Sequence, residues 1–109
     1  MRKTDRKTDN AIRKVLTDAC ELARGHHEGF EWLTHFVNYD DLPGSLSVVC
    51  VYDTRANLAR ADREGMRALV REKLAAIDIR LSDSRRQVGF DSEEACQEEN
   101  RGKWKERFS

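Results

Sequence analysis

The chain reads as an α+β domain: a small mixed three-stranded sheet with packed helices, in the order α-β-β-α-β-α. Three observations carry that expectation. Ile12, Val15, Leu16, Ala19, Leu22 and Ala23 recur at three- and four-residue spacing, the period of one helix face. LSVVCVYD (46–53) is a run of branched and apolar residues without helical spacing. A long helical pattern then separates it from a second extended stretch, QVGFD (87–91), the spacing of a crossover between parallel strands.

The elements follow in chain order. RKTD occurs twice in tandem, at 2–5 and 6–9, too short a repeat to imply a repeat architecture. Asp5 or Asp9 is positioned to cap a first helix, read over 9–24, that Gly25 would stop, leaving residues 1–8 as a mobile basic extension. FEWLTHFVNY (30–39) reads as a strand, and the residues from Asp40 to Ser45, with the only proline, read as a hairpin connection to the second strand. Val48 to Val51 are apolar in succession, which predicts a central strand covered on both faces. Thr54 opens a helical segment to about Ile77, read as helix over 56–77, with Met66, Leu69, Val70, Leu74 and Ile77 buried and Gly65 as the expected break. IDIRL (77–81) alternates briefly, SDSRR (82–86) reads as a turn, and Ser92 to about Phe108 as a last, weakly amphipathic helix. Strands 46–52 and 87–90 are expected parallel, with 30–38 antiparallel at one side.

At 109 residues this is one domain, with 39% hydrophobic and 37% charged residues, so a thin core under a heavily charged surface is expected. No apolar run approaches the ~18 residues of a membrane span, and the first ten residues lack the apolar segment of a secretory signal. A cytoplasmic location is therefore expected, without membrane contact. Cys20, Cys50 and Cys96 are odd in number and form no CxxC pair, which fits buried thiols in a reducing compartment.

Net charge is zero but laid out in blocks. Met1 to Lys14 carries Arg2, Lys3, Arg6, Lys7, Arg13 and Lys14 against two aspartates. Thr17 to Asp53 has seven acids against Arg24 alone, and Thr54 to Leu74 has six cations against three acids. On the first helix the cations fall within about 140° opposite an apolar arc of about 120°. Arg60, Arg63, Arg67 and Arg71 project onto one stripe of about 80° on the second helical segment. Segregated cations of this kind suit a polyanion or an acidic protein surface; the alternative is that neighbouring acids pair with them and they merely solvate the helix.

Reactive constellations are sparse. Tyr52-Asp53-Thr54 and Phe90-Asp91-Ser92 repeat one pattern where a strand meets a helix, and parallel strands would bring both aspartates to the carboxyl end of the sheet. There Asp53 and Asp91 would suit a Mg²⁺ ion and a metal-dependent enzyme, although the plainer reading is helix capping, with Asp91 and Glu94 as a capping box. His26, His27 and His35 with Cys20 lack the paired spacing of a structural zinc site. No Gly-x-Ser-x-Gly elbow and no glycine-rich phosphate loop occurs, so neither a cofactor nor catalysis is expected.

RKTDNAIRKVLTDAC, GFEWLTHFVNY, VVCVYDT and FDSEEAC, which together span most of the chain, resemble a small family of proteobacterial proteins of about this length. Its members are often labelled Fis-like transcriptional regulators. Asn100 to Phe108 (NRGKWKERF) is similar to the DNA-recognition helix of Fis, and that resemblance implies a helix-turn-helix regulator. The chain departs from that motif at Glu98, which stands where the turn glycine would, in a stretch rich in glutamate.

The residues thus predict a non-enzymatic cytoplasmic regulator that contacts nucleic acid or an acidic partner through Arg2, Lys3, Arg6, Lys7, Arg13, Lys14, Arg60, Arg63, Arg67 and Arg71. The alternatives are a protein-interaction module that associates with itself, and the enzyme built on Asp53 and Asp91.

Overall fold

The structure, a computed structural model that describes residues 2–109, has the expected α-β-β-α-β-α order with short extra helices in the connections. Helix α1 spans Lys3–His26, so residues 3–8, expected as an extension, are its first turns. Its buried stripe is Asp9, Ile12, Leu16, Ala19 and Ala23. The helix runs past Gly25, and the reversal is made at Gly29, whose φ of +83° favours glycine. A Cβ at Gly29 would stand 2.6 Å from Cβ of Asn57, so the close approach also demands glycine.

Strand β1 (Phe30–Phe36) pairs antiparallel with β2 (Ser47–Tyr52), and β2 pairs parallel with β3 (Val88–Ser92), giving the sheet order β1-β2-β3. The connection between β1 and β2 carries a 3-10 turn at Tyr39–Asp41 and a cis Leu42–Pro43 bond. One sheet face presents Leu33, His35, Val48, Cys50, Tyr52, Val88 and Phe90 in register. Ile12, Leu16 and Ala23 of α1 and Met66, Val70 and Leu74 of the next long helix pack on it as the main core. The other face carries Trp32, Val51 and Asp91 side by side, and the C-terminal helices cover them, leaving Val51 fully buried.

The helical segment after β2 does break, but not at Gly65. Helix α2 spans Arg55–Ala59 and α3 spans Arg63–Ala75, and the interruption falls at residues 60–62. Asp62 decides this: its carboxylate accepts the Gly65 amide at 2.9 Å and starts a new helix, with Gly65 in the first turn where the capping side chain needs room. SDSRR, expected as a turn, ends in a four-residue helix α4 (Ser84–Gln87) capped by Asp83. Gln87 is 1% exposed and fully bonded: Nε2 donates to the carbonyls of Pro43 (2.8 Å) and Leu46 (2.9 Å), and Oε1 accepts from Ser82 and the Asp83 amide. Helix α5 spans Glu93–Asn100 and α6 Trp104–Arg107, divided by Arg101 and Gly102, both at positive φ. Among the described residues no helix is long and apolar enough to cross a membrane.

Candidate anion-binding surface

The six N-terminal cations divide into two sets. Arg2 is bonded to Asp5 (3.0 Å) and Asp40 (2.8 Å), and Arg13 to Asp9 (2.7 Å), so their charges are opposed by neighbours. Lys3, Arg6, Lys7 and Lys14 are exposed, and none has a carboxylate within salt-bridge distance among the described residues. Lys3, Lys7 and Lys14 project within about 40° of one another, opposite the buried stripe, and Arg6 stands beside them. The ridge is about 16 Å long from Lys3 to Lys14 at the helical rise. Both acids of this segment are spent on Arg2 and Arg13, which is why the ridge stays positive.

Asp9 explains the fate of Arg13. It lies on the apolar stripe, three residues before Ile12 and seven before Leu16, and a carboxylate there must find partners. Three donors reach it: the Tyr39 hydroxyl, His35 Nε2 at 3.2 Å and Arg13 Nε at 2.7 Å. The Tyr39 bond is the main reason its pKa falls to about 2, with Arg13 and His35 adding to the fall and burial opposing it. Tyr39 moves the other way, to about 12, because burial and then the adjacent carboxylate disfavour the phenolate. This cluster closes one end of a groove of about 730 Å³ between α1 and the outer strand β1. Its polar groups satisfy one another and fasten α1 to β1 and to the Tyr39 turn. Cys20 lines the groove too, but eleven residues along α1 set it about 16 Å from Asp9 along the helix axis.

The arginine stripe expected on the second helical segment is not a free row. Arg60 is the first residue of the break, at the end of α2, and donates to Asn57 Oδ1 at 2.7 Å. Arg67 is only 15% exposed along its side chain: it stacks over Phe90 (5.0 Å), donates to the Val88 carbonyl (3.3 Å) and pairs with Glu64 (2.9 Å). That is a packing role against β3, so Arg67 leaves the set of binding candidates. Arg63 lies over the same ring at 5.5 Å but stays exposed, and Arg71 is exposed without a carboxylate partner among the described residues. Arg85 and Arg86 of α4, not singled out from the sequence, are exposed nearby, and the Arg85 carbonyl accepts from Arg67. Since α1 packs on β1 and on α3, whereas Arg67 reaches β3 and α4, the two cationic patches stand on opposite flanks of the helix layer.

The two strand-end aspartates have separate duties. Thr54 and Ser92, not the aspartates, cap α2 and α5, accepting from the Asn57 amide (3.0 Å) and the Ala95 amide (3.1 Å). Glu94 accepts the Arg55 amide at 2.8 Å, so the expected capping box with Asp91 is replaced by a tie between α2 and α5. Asp91 is held by Arg107 through two bonds, at 2.6 and 2.9 Å. Asp53 accepts from the Asn57 amide group (2.8 Å) and the Thr54 backbone (2.7 Å), and the Asn57 bond leads in lowering its pKa. Among the described residues no group of three or more side chains is arranged to hold a metal ion. All three cysteines are free thiols; burial pushes Cys50 up to about 12 and raises Cys96, which suits packing and not nucleophilic attack.

The segment similar to a recognition helix is placed differently from what that resemblance implies. Helix α6 is a single turn, and its large side chains face the sheet: Trp104 meets Trp32 edge-on at 4.9 Å, Phe108 meets Phe36 at 5.1 Å, and Arg107 takes Asp91. The trace of Asp9 in the sequence was its place on the apolar stripe; for Tyr39, whose partner lies thirty residues away, there was none. Comparison with protein-family models, with curated proteins and with solved structures finds no match to this chain.

Proposed function

We propose that this protein is a non-catalytic cytoplasmic regulator that binds nucleic acid through the outward ridge of α1. The observation that carries the reading is the contrast within one helix: Arg2 and Arg13 are paired, while Lys3, Arg6, Lys7 and Lys14 stand exposed with no carboxylate within salt-bridge distance among the described residues. Four cations along about 16 Å match a phosphate backbone better than they match any single anion. Arg63, Arg71, Arg85 and Arg86 form a second patch on the far flank, where a bent or longer strand would reach them. Paired Arg67 holds that patch to β3 and does not itself contact the ligand.

Fluorescence anisotropy with labelled single- and double-stranded oligonucleotides tests this at low salt. Binding is expected for the native chain and a loss of about a hundredfold or more when Lys3, Arg6, Lys7 and Lys14 all become Gln. Equal binding by that variant would remove the ridge from the interface. Binding of polyglutamate with the same dependence on these four residues, and none of nucleic acid, would make an acidic protein the partner instead.

A further inference from the structure

The carboxyl ends of the parallel strands hold a second pocket, of about 190 Å³, that the ridge does not involve. Its walls include His26 and His27 from the end of α1, Tyr52 at the end of β2, and Asn57, Arg60 and Asp62 around the α2–α3 break. Lys7 and His26 are about 28 Å apart along α1, so the pocket and the ridge are separate sites.

Tyr52 is the informative residue. It is 0% exposed, and its ring is fixed edge-on to Phe30 (5.7 Å) and beside Phe90 (6.4 Å). Yet its hydroxyl has no hydrogen-bond partner among the described residues. Natural structures rarely leave such a group unmatched. Burial pushes the phenol to about 12, so at neutral pH it is a donor in search of an acceptor.

The pocket's other donors are Arg60 and the two histidines, and Asp62 and Glu28 bring carboxylates to its wall. Arg60 is held by Asn57 Oδ1 through Nη2 at 2.7 Å, and no carboxylate lies within salt-bridge distance of it among the described residues. Asn57 donates one amide proton to Asp53, and Asp62 is turned into the first turn of α3, where its Oδ1 accepts the Gly65 amide. His26 and His27 each bring a ring N–H. Glu28 is an exposed acid that also borders the pocket. Donors therefore approach from α1, β2 and the α2–α3 break, an arrangement that suits an oxyanion with several terminal oxygens better than a planar carboxylate. The volume is about six times the share of one liquid water, room for a phosphate and the first atoms of whatever carries it.

We propose that this pocket binds a phosphate monoester group, with Tyr52 and Arg60 as its main donors. The group belongs either to free phosphate and small phosphorylated molecules or to the terminal phosphate of a nucleic-acid strand.

The ring resonances of the histidines in NMR titrations of the full chain test the proposal. Inorganic phosphate at millimolar concentration is expected to shift His26 and His27 saturably and to leave His35, toward the other end of the same sheet face in the Asp9 cluster, unchanged. Tyr52→Phe keeps the ring and its packing, and is expected to weaken phosphate binding about tenfold without lowering the melting temperature. Arg60→Gln, on the surface, is expected to weaken it at least as much and serves if Tyr52→Phe folds poorly. A 5′-phosphorylated dinucleotide binding more tightly than inorganic phosphate identifies a strand end as the source, and equal affinity identifies the free group. Absence of saturable shifts, unaltered binding by both variants, or equal binding of the dephosphorylated dinucleotide overturns the proposal. The chain with Lys3, Arg6, Lys7 and Lys14 changed to Gln should keep the histidine shifts, so failure of the ridge and failure of the pocket are read separately.

Discussion

Arg107 closes on Asp91 with two roughly parallel bonds, Nε to Oδ2 at 2.6 Å and Nη2 to Oδ1 at 2.9 Å, and both side chains are less than one fifth exposed. The pair joins the last helical turn to the edge strand β3 and fixes the aromatic cover of Trp104 and Phe108 on β1. Removing one partner leaves the other half-buried and unopposed. Arg107→Ala is expected to destabilise the fold by about 2 kcal/mol, between the surface and the buried limits for ion pairs. Urea denaturation measures this, and a red shift of tryptophan emission should accompany it as α6 lifts. An unchanged midpoint would show that α6 is held by its aromatic contacts alone.

The Asp9 cluster sets an acid limit. The folded carboxylate titrates at about 2 against 3.8 for the unfolded chain. Between those values the unfolded chain binds more protons, so stability rises with pH through that window, is fully present above about pH 4 and is lost as pH falls toward 2. The contribution is about 2 kcal/mol. Asp9→Asn should lower stability at pH 7 by a similar amount and flatten the dependence between pH 4 and pH 2. Thermal melts across that range check it, and an unaltered acid limb would place the main acid-sensitive group elsewhere.

Two arginines one turn apart are expected to behave oppositely. Arg67→Ala removes the stacking on Phe90 and the bond to the Val88 carbonyl, at a cost of about 1 to 2 kcal/mol of stability. Arg71→Ala, exposed and without a carboxylate partner among the described residues, should change stability by less than about 0.5 kcal/mol. Matched denaturation curves decide; equal effects would contradict the division of the stripe into a packing residue and a free one.

Gln87 ties α4 to the loop that joins β1 and β2, and all its bonding groups are used. Gln87→Leu keeps much of the volume but strands the Leu46 carbonyl in the interior, with an expected loss of about 3 kcal/mol. Gln87→Glu should be no better, since a carboxylate cannot donate to two carbonyls. A midpoint within error of the native chain in either variant would contradict this bonding.

The elements that depend on local pattern were legible in the sequence. Four successive apolar residues from Val48 marked the central strand, and the crossover length gave the parallel pairing of β2 with β3. The helix break was anticipated but misplaced, because the loss of helix propensity at Gly65 was outweighed by the capping carboxylate of Asp62. Charge pairing was the least legible layer, since it is decided by residues far away in the chain. Arg67 is spoken for by Phe90 and Val88, twenty-odd residues later, and Asp91 by Arg107, sixteen residues on. Only Asp9 left a trace, as a carboxylate on an apolar stripe.

The salt dependence of oligonucleotide binding tests the central claim most directly. Association constants for a duplex, measured from low to moderate salt, are compared for the native chain and for the variant with Gln at positions 3, 6, 7 and 14. Four ridge cations meeting four phosphates should make the native slope of log K against log salt steeper by about 3 to 4 than that of the variant. Parallel slopes, or no binding by the native chain at the lowest salt, would contradict a phosphate-binding ridge on α1.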